Sequence, residues 1–305
     1  MLRVTCVVLA AATIATAEQQ QIVSTFGLIR VAVTATDGRG RHQAGLTAND
    51  FELFEDGQAQ TISAFEEANT PLAAVLLMDT SQSIGKTLPI IQEAAIEFIR
   101  QMRPDDVAKV IEFNTLVSTS QESTSDRVAL ERAIRTMSLK GATALLNALY
   151  QALKDAVQQR DLDSNKRPAV IVLSDGDDTA SMVTSNVVVS FARKSEVPVY
   201  AVRMIQPPPS LFDEPAILAR ERSSPGVELL SQVARETGGR FIMAKPSELK
   251  RFYTDVADEL HSQYRLGYIS TNRKLDGRWR TLTVRVKGRD NLRLKYRTGY
   301  YARTS

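Results

Sequence analysis

Five short apolar runs, separated by stretches of helical periodicity, restrict this chain more than any other feature. They are residues 73–78 (AAVLLM), 107–113 (VAKVIEF), 169–173 (AVIVL), 197–202 (VPVYAV) and 240–244 (RFIMA). Several are continuous rather than alternating, the pattern of strands buried on both faces of a largely parallel sheet. Between them, Leu88, Ile91, Ala95, Phe98 and Met102 fall on one helical face. Leu130, Ile134 and Met137 do the same, as do Leu145, Leu149, Ala152 and Leu153. Strand and helix alternating over about 190 residues predict an α/β domain with a doubly wound, mostly parallel sheet.

The flanks have a different period. Residues 22–66 hold short alternating or aromatic runs divided by Asp37-Gly38 and Asp56-Gly57, which are turn signals between strands. In the tail, residues 264–269, 281–286 and 292–296 read as strands, and Leu282, Val284 and Val286 alternate with Thr283, Arg285 and Lys287. Each flank is only about 45 residues, marginal as a core without disulfide or metal. The expectation is therefore one small β-sandwich made from both ends of the chain, with the α/β domain inserted between its halves. The boundaries drawn are 18–69 for the N-terminal half, 70–262 for the α/β domain and 263–305 for the C-terminal half. The proline-rich stretch from Pro207 to Gly226 reads as a long surface loop.

Residues 1–17 have the form of a secretory signal: Arg3, an apolar run from Val4 to Ala15, and a small-x-small Ala15-Thr16-Ala17. That run is too short to span a bilayer, which takes roughly 20 apolar residues, so the mature chain is expected to lack a transmembrane segment. Cys6 is the only cysteine. Export without disulfides suits a bacterial periplasm or the extracellular space. The net charge of +3 is small, with Lys and Arg interleaved among Asp and Glu. No phosphate-tracking stripe forms, so nucleic acid is not an expected partner. The basic tail from Arg273 to Arg303 reads as solvated strand faces.

In an open parallel sheet, ligands bind where strands end and strand order reverses. Asp79 directly follows one apolar run and Asp175 closely follows another, so both carboxylates belong to the same sheet edge. Ser81 and Ser83 lie in the turn after Asp79, and Thr143 opens a later helix. Asp79-x-Ser81-x-Ser83, a Gly141-x-Thr143 and an Asp175-Gly176 in this order resemble the metal-ion-dependent adhesion site of von Willebrand factor A domains. The chain also resembles a bacterial group of exported proteins carrying such a domain. The resemblance rests on Gly45-Leu-Thr-x-x-Asp50-Phe51-x-Leu-x-Glu55-Asp56-Gly57, Thr237-Gly-Gly239, Gln263-Tyr264-x-Leu-Gly-Tyr268 and Gly299-Tyr-Tyr301. Ala142 departs from it, since a second glycine is usual there.

The resemblance implies a metal site of Asp79, Ser81, Ser83, Thr143 and Asp175, some of them ligating through water. It also implies a protein partner that offers Asp or Glu to the metal. Oxygen donors suit a hard dication, Mg²⁺ above all, with Mn²⁺ or Ca²⁺ as substitutes. Few anionic ligands would leave the ion electropositive toward a partner carboxylate.

Other classes have weaker support. Asp175-Gly-Asp177-Asp178-Thr179 also fits the Asp-x-Asp-x-Thr motif of a metal-dependent phosphatase, with Asp175 as nucleophile. The required second acidic pair is missing, because the later apolar strands end in Arg203-Met204 and Ala244-Lys245. No Gly-x-Ser-x-Gly elbow occurs, and the only histidines, His42 and His261, read as surface residues. Zinc binding by His and Cys fails for the same shortage. A structural envelope protein with a vestigial site is the third alternative. The expectation is a non-enzymatic, cation-dependent adhesion module.

Overall fold

The structure, a computed structural model, describes residues 27–67, 70–163, 165–174, 178–205 and 224–304. The expected signal segment and most of the proline-rich stretch lie outside the described residues. The expected architecture is present: a six-stranded, mostly parallel sheet covered by helices, flanked by two four-stranded antiparallel sheets.

Strands β1 (Ile29–Thr36), β2 (Phe51–Glu55), β3 (Gln58–Gln60) and β4 (Ile62–Glu66) precede the α/β unit. That unit runs β5 (Leu72–Asp79), α1 (Leu88–Gln101), β6 (Val107–Phe113), β7 (Val117–Thr124), α2 (Arg127–Arg135), α3 (Leu145–Leu162), β8 (Arg167–Ser174), α4 (Ser185–Ser195), β9 (Val199–Met204), α5 (Pro225–Thr237), β10 (Arg240–Ala244) and α6 (Leu249–His261). Four strands follow it: β11 (Tyr264–Tyr268), β12 (Trp279–Val286), β13 (Arg293–Lys295) and β14 (Gly299–Tyr301).

The central sheet has the order β10-β9-β8-β5-β6-β7, with only β7 antiparallel. Every residue of β5 is buried, which is why its sequence is continuously apolar. Leu72, Ala74, Leu76 and Met78 pack toward α1, α2 and α6, whereas Val75 and Leu77 pack toward α3, α4 and α5. The chain passes from β5 outward to β6 on one side and later returns to β8 on the other. Strand order therefore reverses between β5 and β8, and the loops leaving these two strands open a crevice at their carboxyl ends.

Both antiparallel sheets mix the two ends of the chain. One has the order β13-β1-β11-β4 and the other β14-β12-β2-β3. Val31 and Leu53 from the front share one apolar core with Leu266, Leu282 and Val284 from the back. Within it, Glu55 is 2 % exposed. Its carboxylate accepts from Tyr268 Oη at 2.7 Å, Tyr300 Oη at 2.8 Å and Ser270 Oγ at 2.6 Å. Burial, reinforced by that carboxylate, pushes both phenols above their ordinary range, so they stay protonated donors. Three motifs far apart in sequence thus meet in one hydrogen-bonded cluster. Gly239 has a similar reason: β10 runs so close to β9 that a Cβ there would collide with the Val199 carbonyl.

Buried polar groups tie the two ends of the α/β unit together and join the unit to the sandwich. Asp106, fully buried, accepts from Leu72 N and Arg103 N, each at 2.7 Å, and contacts His261 Nε2 at 2.8 Å. Tyr200 Oη donates to Glu259 Oε1 at 2.8 Å, Gln263 Nε2 donates to Tyr200 Oη at 2.9 Å, and Lys295 pairs with Glu259.

Four expectations need correction. His261 is not a surface residue: its side chain is 13 % exposed and paired with Asp106. His42 stacks on Tyr264 with ring centroids 5.7 Å apart. The basic tail is only partly solvated, because Arg280 and Arg297 are each 6 % exposed and pair with Asp276 and Glu196. Pro225 and Gly226 do not close a loop but begin α5, with Ser224 Oγ accepting from Val227 N and Pro225 in the first turn.

Two tests address these clusters. Glu55→Ala strands three buried hydroxyls, so it should destabilise the protein by about 3 kcal/mol, read as a fall in urea midpoint at unchanged m-value. At Asp106, burial works to raise the carboxyl pKa, but hydrogen bonds from His261, Leu72 and Arg103 outweigh it and hold it below the ordinary value. Its contribution is therefore present above the unfolded carboxylate pKa and lost as pH falls through the depressed folded one. Asp106→Asn should be destabilised at neutral pH and show a shallower loss of stability below about pH 4 than the parent.

Candidate metal centre

Asp79 is the last residue of β5 and fully buried. It stands in register with Phe113 of β6, and its neighbour Met78 with Leu173 of β8. The carboxylate thus emerges between two neighbouring strands at the reversal point of the sheet. Its Oδ1 accepts from Ser81 N at 2.9 Å and Ser81 Oγ at 2.6 Å, and its Oδ2 accepts from Ser174 Oγ at 2.6 Å. Ser83 Oγ lies 2.8 Å from Ser81 Oγ. Since the Ser81 proton goes to Asp79, the Ser83 hydroxyl is the donor in that pair. Ser81 is fully buried and Ser83 is exposed, so the oxygens form a short file from the sheet edge to solvent. A tight helical turn, Gln82–Thr87, carries the chain from this file into α1, with Gly85 at φ 54°.

Thr143 is 4 % exposed, on the loop that enters α3. Two backbone bonds tie this loop to the Asp79 loop: Lys140 N donates to Thr80 O at 2.8 Å and Gln82 N to Gly141 O at 3.1 Å. Gly141 has φ 59°, and a Cβ there would strike Thr115 Oγ1, which explains glycine at this position. Ala142 N donates to that same hydroxyl at 2.9 Å. The departure at 142 leaves the loop anchored through its backbone.

The loop after β8 is fastened to Thr143 in turn. Thr179 N and Ala180 N donate to Thr143 O at 2.8 and 3.0 Å, and Thr143 N donates to Thr179 Oγ1 at 3.0 Å. Asp178 Oδ1 accepts from Leu146 N at 3.1 Å, capping the first turn of α3. Thr179 and Asp178, two residues of the phosphatase-like motif, therefore serve as loop clasps.

Ser81 contacts both Asp79 and Ser83, and Thr143 lies on a loop bonded to theirs. Asp175 and Asp177 lie outside the described residues; Ser174, the residue before Asp175, donates directly to Asp79. The donor set is all oxygen, one buried carboxylate and several hydroxyls. Among the described residues, no group of three or more His, Cys, Asp or Glu side chains converges. Neutral hydroxyls beside a single carboxylate suit a hard dication that keeps some water, and do not suit a thiophilic ion.

Three positioning residues have no signal in the sequence. Ser174 orients the Asp79 carboxylate. Asn114 Nδ2 donates to Thr80 Oγ1 at 3.1 Å, while its backbone carbonyl accepts from Ala144 N at 2.7 Å, joining the Asp79 and Thr143 loops. Arg203, 4 % exposed, is the penultimate residue of β9, in register with Ser174, and brings a buried cation to this edge. An adhesion-site motif gives the ligating oxygens only; these three depend on which strands are neighbours.

The von Willebrand factor type A domain family matches residues 74–177. No curated protein matches the chain. Among solved structures, a von Willebrand factor type A protein from Catenulispora acidiphila is 11 % identical with a TM-score of 0.50, over 86 % of this chain and 76 % of that one. Conserved hypothetical protein BatB from Bacteroides thetaiotaomicron is 14 % identical with a TM-score of 0.46, over 63 % of this chain and 100 % of that one. The proximal thread matrix protein of the mussel byssus, in a structure with a zinc-occupied adhesion-site motif, is 17 % identical with a TM-score of 0.48, over 63 % of this chain. The chain spans only 49 % of that mussel protein. The Catenulispora similarity, which reaches well beyond the central sheet, is one of fold. With the family match over residues 74–177 and the doubly wound sheet around it, the chain carries a von Willebrand factor type A domain.

Proposed function

We propose that this protein is a non-enzymatic adhesion module whose Asp79, Ser81, Ser83, Thr143 and Asp175 hold a divalent cation. The single observation that carries this reading is the buried Asp79 carboxylate facing a file of hydroxyls that ends in solvent at Ser83. A bound Mg²⁺, or Mn²⁺ or Ca²⁺ in its place, would supply an electropositive position for a carboxylate of a protein partner. Asp79 and Asp175 would bring the negative charge, and the hydroxyls would add ligands without neutralising the ion further. Asn114 and Thr179 hold the three loops in register, and Ser174 keeps the Asp79 carboxylate oriented. The protein is proposed to act after export, in the periplasm or outside the cell. No described helix is long and apolar enough to cross a membrane.

The surface next to this edge favours a protein partner. Leu116 and Met182 are 74 % and 93 % exposed. Both line one groove of about 550 Å³, together with Thr115, Tyr150 and Val183. Exposed large apolar side chains beside a polar site are the composition of an interface core and its rim.

Mg²⁺ or Mn²⁺ at a hundredfold excess over Kd should stabilise the protein by about 2.7 kcal/mol through linkage, seen as a rise in Tm. Asp79→Ala should abolish the rise, and Ser83→Ala should reduce it; an equal rise in both variants would remove the site. For the partner, isolated by pull-down with Mg²⁺ against chelator, Thr143→Ala and Met182→Asp should each weaken binding about tenfold or more. Binding that survives chelation and collapses only with added salt would point instead to charge steering through the basic residues.

A further inference from the structure

A second recess lies at the opposite edge of the central sheet, where the sandwich meets the α/β unit. It has a volume of about 610 Å³ and is lined by eight Lys or Arg residues against two acids, Asp161 and Glu196. Arg30, Arg297 and Arg303 come from the sandwich side; Arg167 and Lys194 come from the α/β side. Arg167 begins β8 and Ser174 ends it, so at about 3.3 Å per residue the recess is roughly 23 Å from the candidate metal centre.

The excess charge is not explained by internal pairing. Asp161 pairs with Arg160 and Glu196 with Arg297, while Asp163 and Glu66 outside the lining answer Lys166 and Arg265. Arg30, Arg167, Lys194 and Arg303 have no acidic partner among the described residues. Arg167 is the most telling of these. It is 7 % exposed, and its guanidinium donates only to neutral oxygens, those of Thr70, Leu260 and the Gln263 side chain. Burial, with the neighbouring Arg265 charge, pushes its pKa down to about 10, so it remains a cation at neutral pH. Arg297, 6 % exposed, has its Nε buried with no acceptor among the described residues.

Helix ends offset part of this charge. The C-termini of α3, α4, α5 and α6 all reach this edge, each carrying about half a negative charge. Together they offset about two of the four unpaired cations, leaving about two positive charges in a recess of ligand size.

We infer that this recess is a binding site for a small oxyanion of two or more negative charges, held between the sandwich and the α/β unit by Arg30, Arg167, Lys194 and Arg303. Phosphate and carboxylate groups share the required chemistry, since a guanidinium donates to the oxygens of either in bidentate form. Such a ligand would neutralise charge on both sides of the junction and so hold the two parts together. This site is independent of the metal reading and of any protein partner.

The test is calorimetric titration of the full chain with inorganic pyrophosphate and, separately, with citrate, at physiological salt, using protein stripped of divalent metal and then desalted free of chelator so that the metal centre takes no part. At least one should bind saturably, with a Kd below about 1 mM, and raise Tm beyond sodium chloride of equal ionic strength. The tighter of the two names the class, phosphate or polycarboxylate. Arg30→Gln with Arg303→Gln, both exposed and expected to fold, should weaken binding at least about tenfold. Asp79→Ala should leave it unchanged. As a control, Arg285→Gln with Lys287→Gln removes two exposed tail charges elsewhere. Failure of both anions to saturate by about 10 mM, full binding in the Arg30/Arg303 variant, or equal weakening in the control pair would each overturn the site.

Discussion

The Asp106 carboxylate is the interaction on which the rest of this structure depends. One of its oxygens accepts from Leu72, where the chain enters the α/β unit, and the other from Arg103 and His261, the latter where the chain leaves it. A doubly wound domain inserted into a sandwich must bring its own first strand and last helix together, or the two halves of the sandwich cannot pair. A single buried acid does this at the base of the sheet. Beside it, Gln263, Tyr200, Glu259 and Lys295 extend the junction into the sandwich. The fold is thus fastened at the amino edge of the central sheet, and the carboxyl edge is left to the loops.

Those loops hold one another rather than being held by the core. The Asp79 loop is bonded to the Thr143 loop, the Thr143 loop to the segment after β8, and Asn114 bridges the first two. Backbone bonds do most of this, so the side chains of Ser81, Ser83 and Thr143 need not carry the scaffold. That division lets hydroxyl oxygens be arranged for a ligand without costing the loop its shape.

The sequence made the buried strands legible because a strand covered on both faces has no polar side to show, as β5 and β8 illustrate. It did not reveal β7. That strand lies at the sheet edge with mostly partly or fully exposed Ser, Thr, Gln and Glu, so neither alternation nor an apolar run marks it. His261, Lys295 and Arg297 were misread for a related reason. Their partners Asp106, Glu259 and Glu196 are distant in sequence, and a local pattern cannot distinguish a solvated cation from one buried against a remote carboxylate. At the candidate site, Asp79, Ser81, Ser83 and Thr143 were legible as a spaced motif. Ser174, Asn114 and Arg203 were not, because their roles follow from the order β9-β8-β5-β6 and not from spacing along the chain. The motif around Glu55 was legible only as a resemblance; its physical reason, two phenols and a hydroxyl gathered on one buried acid, required the fold.

The composite sandwich has a consequence for how the chain is made. Among the described residues, β1 forms its ladders with β11 and β13, and β4 with β11, so apart from a short bridge from Thr36 to His42 these two strands lack their ladder partners until some 200 residues later have been synthesised. The α/β unit in between is built largely from contacts between neighbouring elements and can condense as it emerges. Its closure brings the two flanks side by side and shortens the search that the oldest strands must make. Until then β1 and β4 are unpaired edges of the kind that templates aggregation. Strands β1 and β4 are in this way among the last parts of the sandwich to fold, and a pause in translation before β11 leaves them exposed.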